Sequence, residues 1–183
     1  MKPTFLNWAM GVSWCDPIND TSGLFGHWWP TPLWQWIEGD PSLIYQDETG
    51  MFHRLSQPTG VTDFGSIPWG IRVLPGLGTM TYRLPYLFHD DCYGSHRWNI
   101  SHNGVDWEQV RVNRQQADER LRDMMYVNPT DPAGAASANI VLAGVRIGGR
   151  WPWNNGDHRK NKMEMTCRGT VNPHGTDDVL KKA

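Results

Sequence analysis

The residues of this 183-residue chain best equipped for chemistry are His89, Asp90 and Asp118. A histidine titrates near neutral pH and so makes a usable general base. A carboxylate from a neighbouring helix can fix its tautomer and stabilise the charged ring. Asp118 is the carboxylate expected to do so. Successive helix residues point about 100° apart, so His89 and Asp90 can flank one cleft while holding different roles. Asp90 suits a hard cation, because calcium takes carboxylate and carbonyl oxygens, and the glycine-bearing stretch from Gly60 to Ser66 is a source of carbonyls. The same residues also make an ordinary helix pair, in which His89 and Asp118 hydrogen-bond because both are buried and Asp90 and Asp91 stand in water.

Three helices are expected to position these groups. Leu84-Pro85 opens the first, since proline at a helix start gives up no hydrogen bond it needed, and Tyr86, His89 and Tyr93 then share a face. Val110, Ala117, Leu121, Met124 and Met125 predict a second helix over 107–126, with Asp118 bordering its apolar stripe. A third, over 133–147, carries Ile140, Leu142, Val145 and Ile147 and stops at Gly148-Gly149. Ahead of them, 42–56 reads as a hairpin turned by Asp47-Glu48-Thr49-Gly50, and Pro58, Gly60, Gly65 and Pro68 make 57–68 a shaped loop without regular structure. The fold expected is mainly α with this small β-hairpin: a core domain over 42–153, an irregular Trp-rich arm over 1–41 and a polar tail over 154–183. Six of the eleven tryptophans fall within the first 36 residues. They need an apolar cover, either a small core of their own or a partner against which the arm docks.

Thr62-Asp63-Phe64-Gly65-Ser66-Ile67-Pro68, His89-Asp90-Asp91-Cys92-Tyr93 and Arg114-Gln115-Gln116-Ala117-Asp118 stand in that order along the chain. They resemble the three signatures, T-D-F-x-S-x-P, H-D-x-x-Y and R-x-x-A-D, of an uncharacterised phage and prophage family of unknown function. The resemblance covers about residues 52–153. The segment from His89 to Tyr93 is also similar to the H-D-x-C-Y helix of secreted phospholipases A2, whose following helix carries an aspartate that orients the histidine. That resemblance implies that His89 deprotonates the attacking water, Asp118 orients His89, Asp90 binds calcium beside the ester carbonyl and Tyr93 braces the site. It departs from those enzymes in lacking their several disulfides and a cleanly matching calcium loop. Asp63 stands where carbonyls alone are expected and reads as either a metal ligand or a turn former.

Composition narrows the partners. Seventeen Lys and Arg against nineteen Asp and Glu give no single-sign field to hold a polyanion, so nucleic acid is not an expected partner. Cys15, Cys92 and Cys167 are too scattered for a metal knuckle and leave room for one disulfide. The first residues do not read as a targeting signal, and no run approaches the roughly 18 apolar residues of a membrane span. His53, His96 and His102 lack the spacing of a transition-metal site, and Arg146 reads as a solvated or structural ion pair. The activity expected is that of a phage-type hydrolase, acting with calcium on phospholipid esters. Two rivals stand beside it: a non-enzymatic virion component of the tail tip or baseplate docking onto other virion proteins, and a cell-wall hydrolase. Each implies a place in the virion or the host cytoplasm.

Overall fold

The computed structural model describes residues 2–8, 12–15, 18–20, 31–62, 81–155 and 170–171. In chain order these form β1 (Thr4–Leu6), β2 (Val12–Cys15), β3 (Ile18–Asp20), β4 (Thr31–Glu38), β5 (Ile44–Gln46), β6 (Phe52–Arg54) and β7 (Thr59–Thr62). There follow α1 (Arg83–Ser95), β8 (Arg97–Ser101), β9 (Glu108–Arg111), α2 (Arg114–Tyr126), α3 (Ala135–Gly148), α4 (Arg150–Asn155) and β10 (Thr170–Val171).

The chain is thus mixed rather than mainly helical. One antiparallel sheet of five strands runs β1-β5-β6-β8-β9, and a second joins β10, β2, β4 and β3, with β7 paired to β4. The expected hairpin forms as β5 and β6, but as inner strands of the first sheet, with β1 on one side and β8 on the other. The expected helix over 107–126 begins only at Arg114, because Glu108–Arg111 pairs with β8 instead. The N-terminal stretch is not an irregular arm: it supplies four strands, and Phe5 of β1 enters the main core. The expected loop over 57–68 likewise starts as strand β7, and its remainder from Asp63 lies outside the described residues.

Helix α1 lies at the centre. Its residues Leu84 to Tyr93 are buried in unbroken succession, so that stretch has no solvent face. It packs on α2, α2 packs on α3, and α4 returns to α1. Leu87 and Phe88 of α1 meet Leu121, Met124 and Met125 of α2 and Val141 and Val145 of α3, with Phe5, Leu43, Tyr45 and Leu55 closing the core from the first sheet. Asn128, also buried, donates to the carbonyls of Thr81 and Asp131 and so ties the α2–α3 turn to the approach of α1. Among the tryptophans, Trp36 is fully buried, with its indole lying where a Cβ on Gly60 would stand. Trp8 is partly exposed, and the side chains of Trp14, Trp28, Trp29 and Trp34 lie outside the described residues.

The start of α2 is fixed by a capping box. The Asn113 side chain accepts from the Gln116 amide at 2.9 Å, and the Gln116 side chain accepts from the Asn113 amide at 2.9 Å. The other end of the sheet is tied to α2 by Asp47. Its carboxylate closes the β5–β6 turn on the Thr49 and Met51 amides, accepts from His53 Nε2 at 2.9 Å, and holds Arg120 of α2 at 3.1 Å.

Burial alone would raise the Asp47 carboxyl, but Thr49, His53 and Arg120 hold it down to about 2. Burial, helped by the charge of Arg120, pushes His53 down to about 4 against the pull of Asp47, so the ring is neutral in the fold near pH 7. Both depressed values work in the same direction. Between the ordinary histidine value of 6.5 and about 4, and again from 3.8 to about 2, the unfolded chain binds protons that the fold refuses. Stability is therefore present above pH 6.5 and falls on acidification. In chemical denaturation the native chain should lose roughly 2 kcal/mol more stability between pH 7 and pH 4.5 than His53→Gln does, a difference in which the other titrating groups cancel.

Candidate active site

Three polar side chains stand in a row on the buried stretch of α1, and the helix sends them in three directions. His89 reaches α2, where its Nε2 lies 3.0 Å from Asp118 Oδ1. Asp90 reaches the end of β7 and accepts from the Thr62 hydroxyl at 2.5 Å. Asp91 reaches the second residue after β6 and accepts from the Ser56 amide at 2.7 Å and the Ser56 hydroxyl at 2.9 Å. Asp91 is only 1 % exposed, so the expectation that Asp90 and Asp91 stand in water is corrected.

Asp118 carries a second partner. One turn along α1 from His89, Tyr93 donates its phenol to Asp118 Oδ1 at 2.6 Å, and its ring lies against the imidazole with centroids 4.1 Å apart. Burial raises the phenol well above its ordinary value and the bond to Asp118 raises it further, so Tyr93 stays a proton donor. Trp153 of α4 packs edge-on against Tyr93 at 5.1 Å, and Gly149 sits where any side chain would strike the phenol oxygen. Helix α4 and the α3–α4 turn thus back the tyrosine that backs the aspartate.

The imidazole is asymmetric. Nε2 is committed to Asp118, whereas Nδ1 is buried without a hydrogen-bond partner, its nearest charged neighbour being Asp90 Oδ1 at 3.8 Å. That separation is too long for a direct bond. Asp118 Oδ2 is also buried without a partner. Burial lowers the His89 pKa, but Asp118 and Asp90 outweigh it and raise the ring above 6.5. The neighbouring Cys92 is a free, buried thiol, pushed well up first by burial and then by the charges of Asp91 and Asp118.

The structure thus brings His89, Asp118, Tyr93 and Asp90 together, while Asp63 lies outside the described residues. Among the described residues no group of three or more His, Cys, Asp or Glu side chains gathers in a way that could hold a metal ion. Arg146 pairs with Glu119 at the surface rather than with the site. His53 and His96 stand apart, on Asp47 and on the Trp153 carbonyl. Sequence reading missed Asp91, Thr62 as the partner of Asp90, and Ser56; the apolar Leu84 to Phe88 before the polar trio and Cys92-Tyr93 after it are the signal that α1 is buried all round. Compared with protein-family models, curated proteins and solved structures, the chain matches none.

The phenol bond to a buried carboxylate is worth about 2 kcal/mol. Tyr93→Phe should lose about that much in urea denaturation, and Gly149→Ala, which displaces the phenol and crowds the Val145 carbonyl, should lose at least as much.

Proposed function

We propose that this chain is a hydrolase of carboxylic esters, in which His89 is the general base. The observation that carries the reading is the division of labour on one ring: Nε2 held by Asp118, which Tyr93 also holds, and Nδ1 left without a hydrogen-bond partner. With the Nε2 proton donated to Asp118, Nδ1 takes a proton from water as the oxygen attacks the ester carbonyl. The imidazolium that forms lies between Asp118 and Asp90, two carboxylates that stabilise its charge. It then returns the proton to the departing alkoxide as the tetrahedral intermediate collapses to acid and alcohol. The phospholipase-like motif supports a phospholipid as the ester, and the order of the three signatures supports a phage setting. Calcium at Asp90, with Asp63 as a further ligand, belongs to the proposal through that motif alone, and no step above runs through it.

One observation favours the rival reading of a virion component. His89 is 2 % exposed and Asp118 is fully buried, as a structural cross-link between two helices would be. A cell-wall hydrolase built on the same dyad is the third reading.

Fatty-acid release from mixed phospholipid vesicles, with calcium and with chelator, separates these readings. The enzyme reading expects release that falls at least about a hundredfold in His89→Ala and in Asp118→Asn. Release unaffected by His89→Ala, or none under either condition, removes the lipase reading. Because His89 is held above 6.5, the rate should rise as the pH is raised above that value and the imidazolium loses its proton. A rate that falls over that range would exclude His89 as the base.

A further inference from the structure

The hairpin of β8 and β9 places Arg97 directly opposite Arg111. Opposed residues of an antiparallel pair have Cβ atoms about 4.5–5.5 Å apart, where like charges destabilise the sheet. Arg97 donates to the neutral Gln109 side chain at 2.7 Å, and among the described residues neither guanidinium has a carboxylate within ion-pair distance. Both line one surface cavity of about 510 Å³, together with His96, Asn113 and Trp153, and none of its described lining residues is acidic.

The walls of this cavity are braced. The His96 ring stacks on Trp153 with centroids 4.1 Å apart and 21° between planes, and its Nε2 donates to the Trp153 carbonyl at 3.0 Å. The His96 carbonyl accepts from the Val112 amide at 3.1 Å, and Asn113 is locked into the capping box of α2. A flat aromatic wall therefore stands beside two guanidiniums that must share one side of a sheet edge.

We propose that this cavity binds a phosphate ester, its phosphate seated between Arg97 and Arg111. Guanidinium is a planar fork that matches phosphate oxygens in pairs, and a phosphate monoester carries close to two negative charges near neutral pH, the charge the two arginines present. The cavity exceeds the size of phosphate itself, so the esterified group lies along His96 and Trp153. The site is separate from the dyad: it uses none of His89, Asp90 or Asp118, and it stands whether or not the chain hydrolyses esters.

The test uses the full chain at low salt. Glycerol 3-phosphate is titrated by calorimetry, and co-sedimentation is measured with vesicles of phosphatidic acid in phosphatidylcholine and of phosphatidylcholine alone. The expected result is binding of the soluble ester, of the phosphatidic acid vesicles, or of both, weakened at least tenfold in R97Q/R111Q and partly retained in R97K/R111K. Soluble binding marks a free phosphate ester as the source, and binding to phosphatidic acid vesicles alone marks a lipid headgroup. The thermal midpoint of R97Q/R111Q should equal or exceed that of the native chain, since a repulsion is removed, whereas arginines with a structural role would lower it. R111Q alone keeps the comparison should the double variant fail to fold. Binding unchanged in R97Q/R111Q, displacement by chloride as readily as by phosphate at matched ionic strength, or no binding in either arm would overturn the proposal.

Discussion

A helix buried on every side can carry a polar side chain only if the surrounding elements bring a partner to it, because an orphaned buried group costs about 1 to 3 kcal/mol and a buried charge more. Helix α1 carries three such residues in succession. His89, Asp90 and Asp91 leave the axis in different directions and are met by Asp118 from α2, Thr62 from β7 and Ser56 after β6. The rest of the architecture serves those three meetings. The capping box of Asn113 and Gln116 fixes where α2 begins and hence where Asp118 falls, and the pairing of β7 with β4 fixes Thr62.

The same constraint accounts for the electrostatics of the site. Three carboxylates, Asp90, Asp91 and Asp118, lie within or against one stretch of helix, and each is buried. Asp91 is satisfied by an amide and a hydroxyl, both neutral donors. Asp118 takes a phenol and an imidazole. The histidine between Asp90 and Asp118 is thereby the group on which a proton is best placed to offset this accumulation, which is why its ring is held above its ordinary value although burial opposes it.

How much of this was legible in the sequence depended on the element. The start of α1, at Arg83 just ahead of Leu84-Pro85, and the end of α3 near Gly148-Gly149 were written in residues with a clear local meaning, and the pairing of His89 with Asp118 followed from a family-like motif on two neighbouring helices. The strands were harder, because most span only three to five residues and so complete barely one or two alternations. The β8–β9 hairpin did leave a signal. Asn103-Gly104 is a turn pair, Gly104 adopts φ 75°, and the Asn103 side chain accepts from the amides of Val105 and Asp106. Trp98 and Ile100 before the turn, and Val110 and Val112 after it, alternate as strands should, but the apolar stripe of α2 extends backwards across them in a helical count. In β4 the alternation around Trp34 and Trp36 was masked by prolines read as breaks, although Pro32 is accommodated opposite Asn19. The fates of Asp90 and Asp91 could not be read locally, since their partners are more than 25 residues away.

Those long separations bear on how the chain reaches its fold. The three polar contacts of α1 span 28, 29 and 35 residues, two reaching back to segments made before the helix and one reaching forward to a helix made after it. Loop-closure entropy must be met on both sides before any of them is gained, and the helix cannot dock with one side missing without burying bare carboxylates. Polar groups in such a place act as a proofreading step on assembly: a compact state that joins the helices but misplaces β6 or β7 carries unpaired charge at its centre. Such a state is disfavoured where a purely apolar helix would tolerate it.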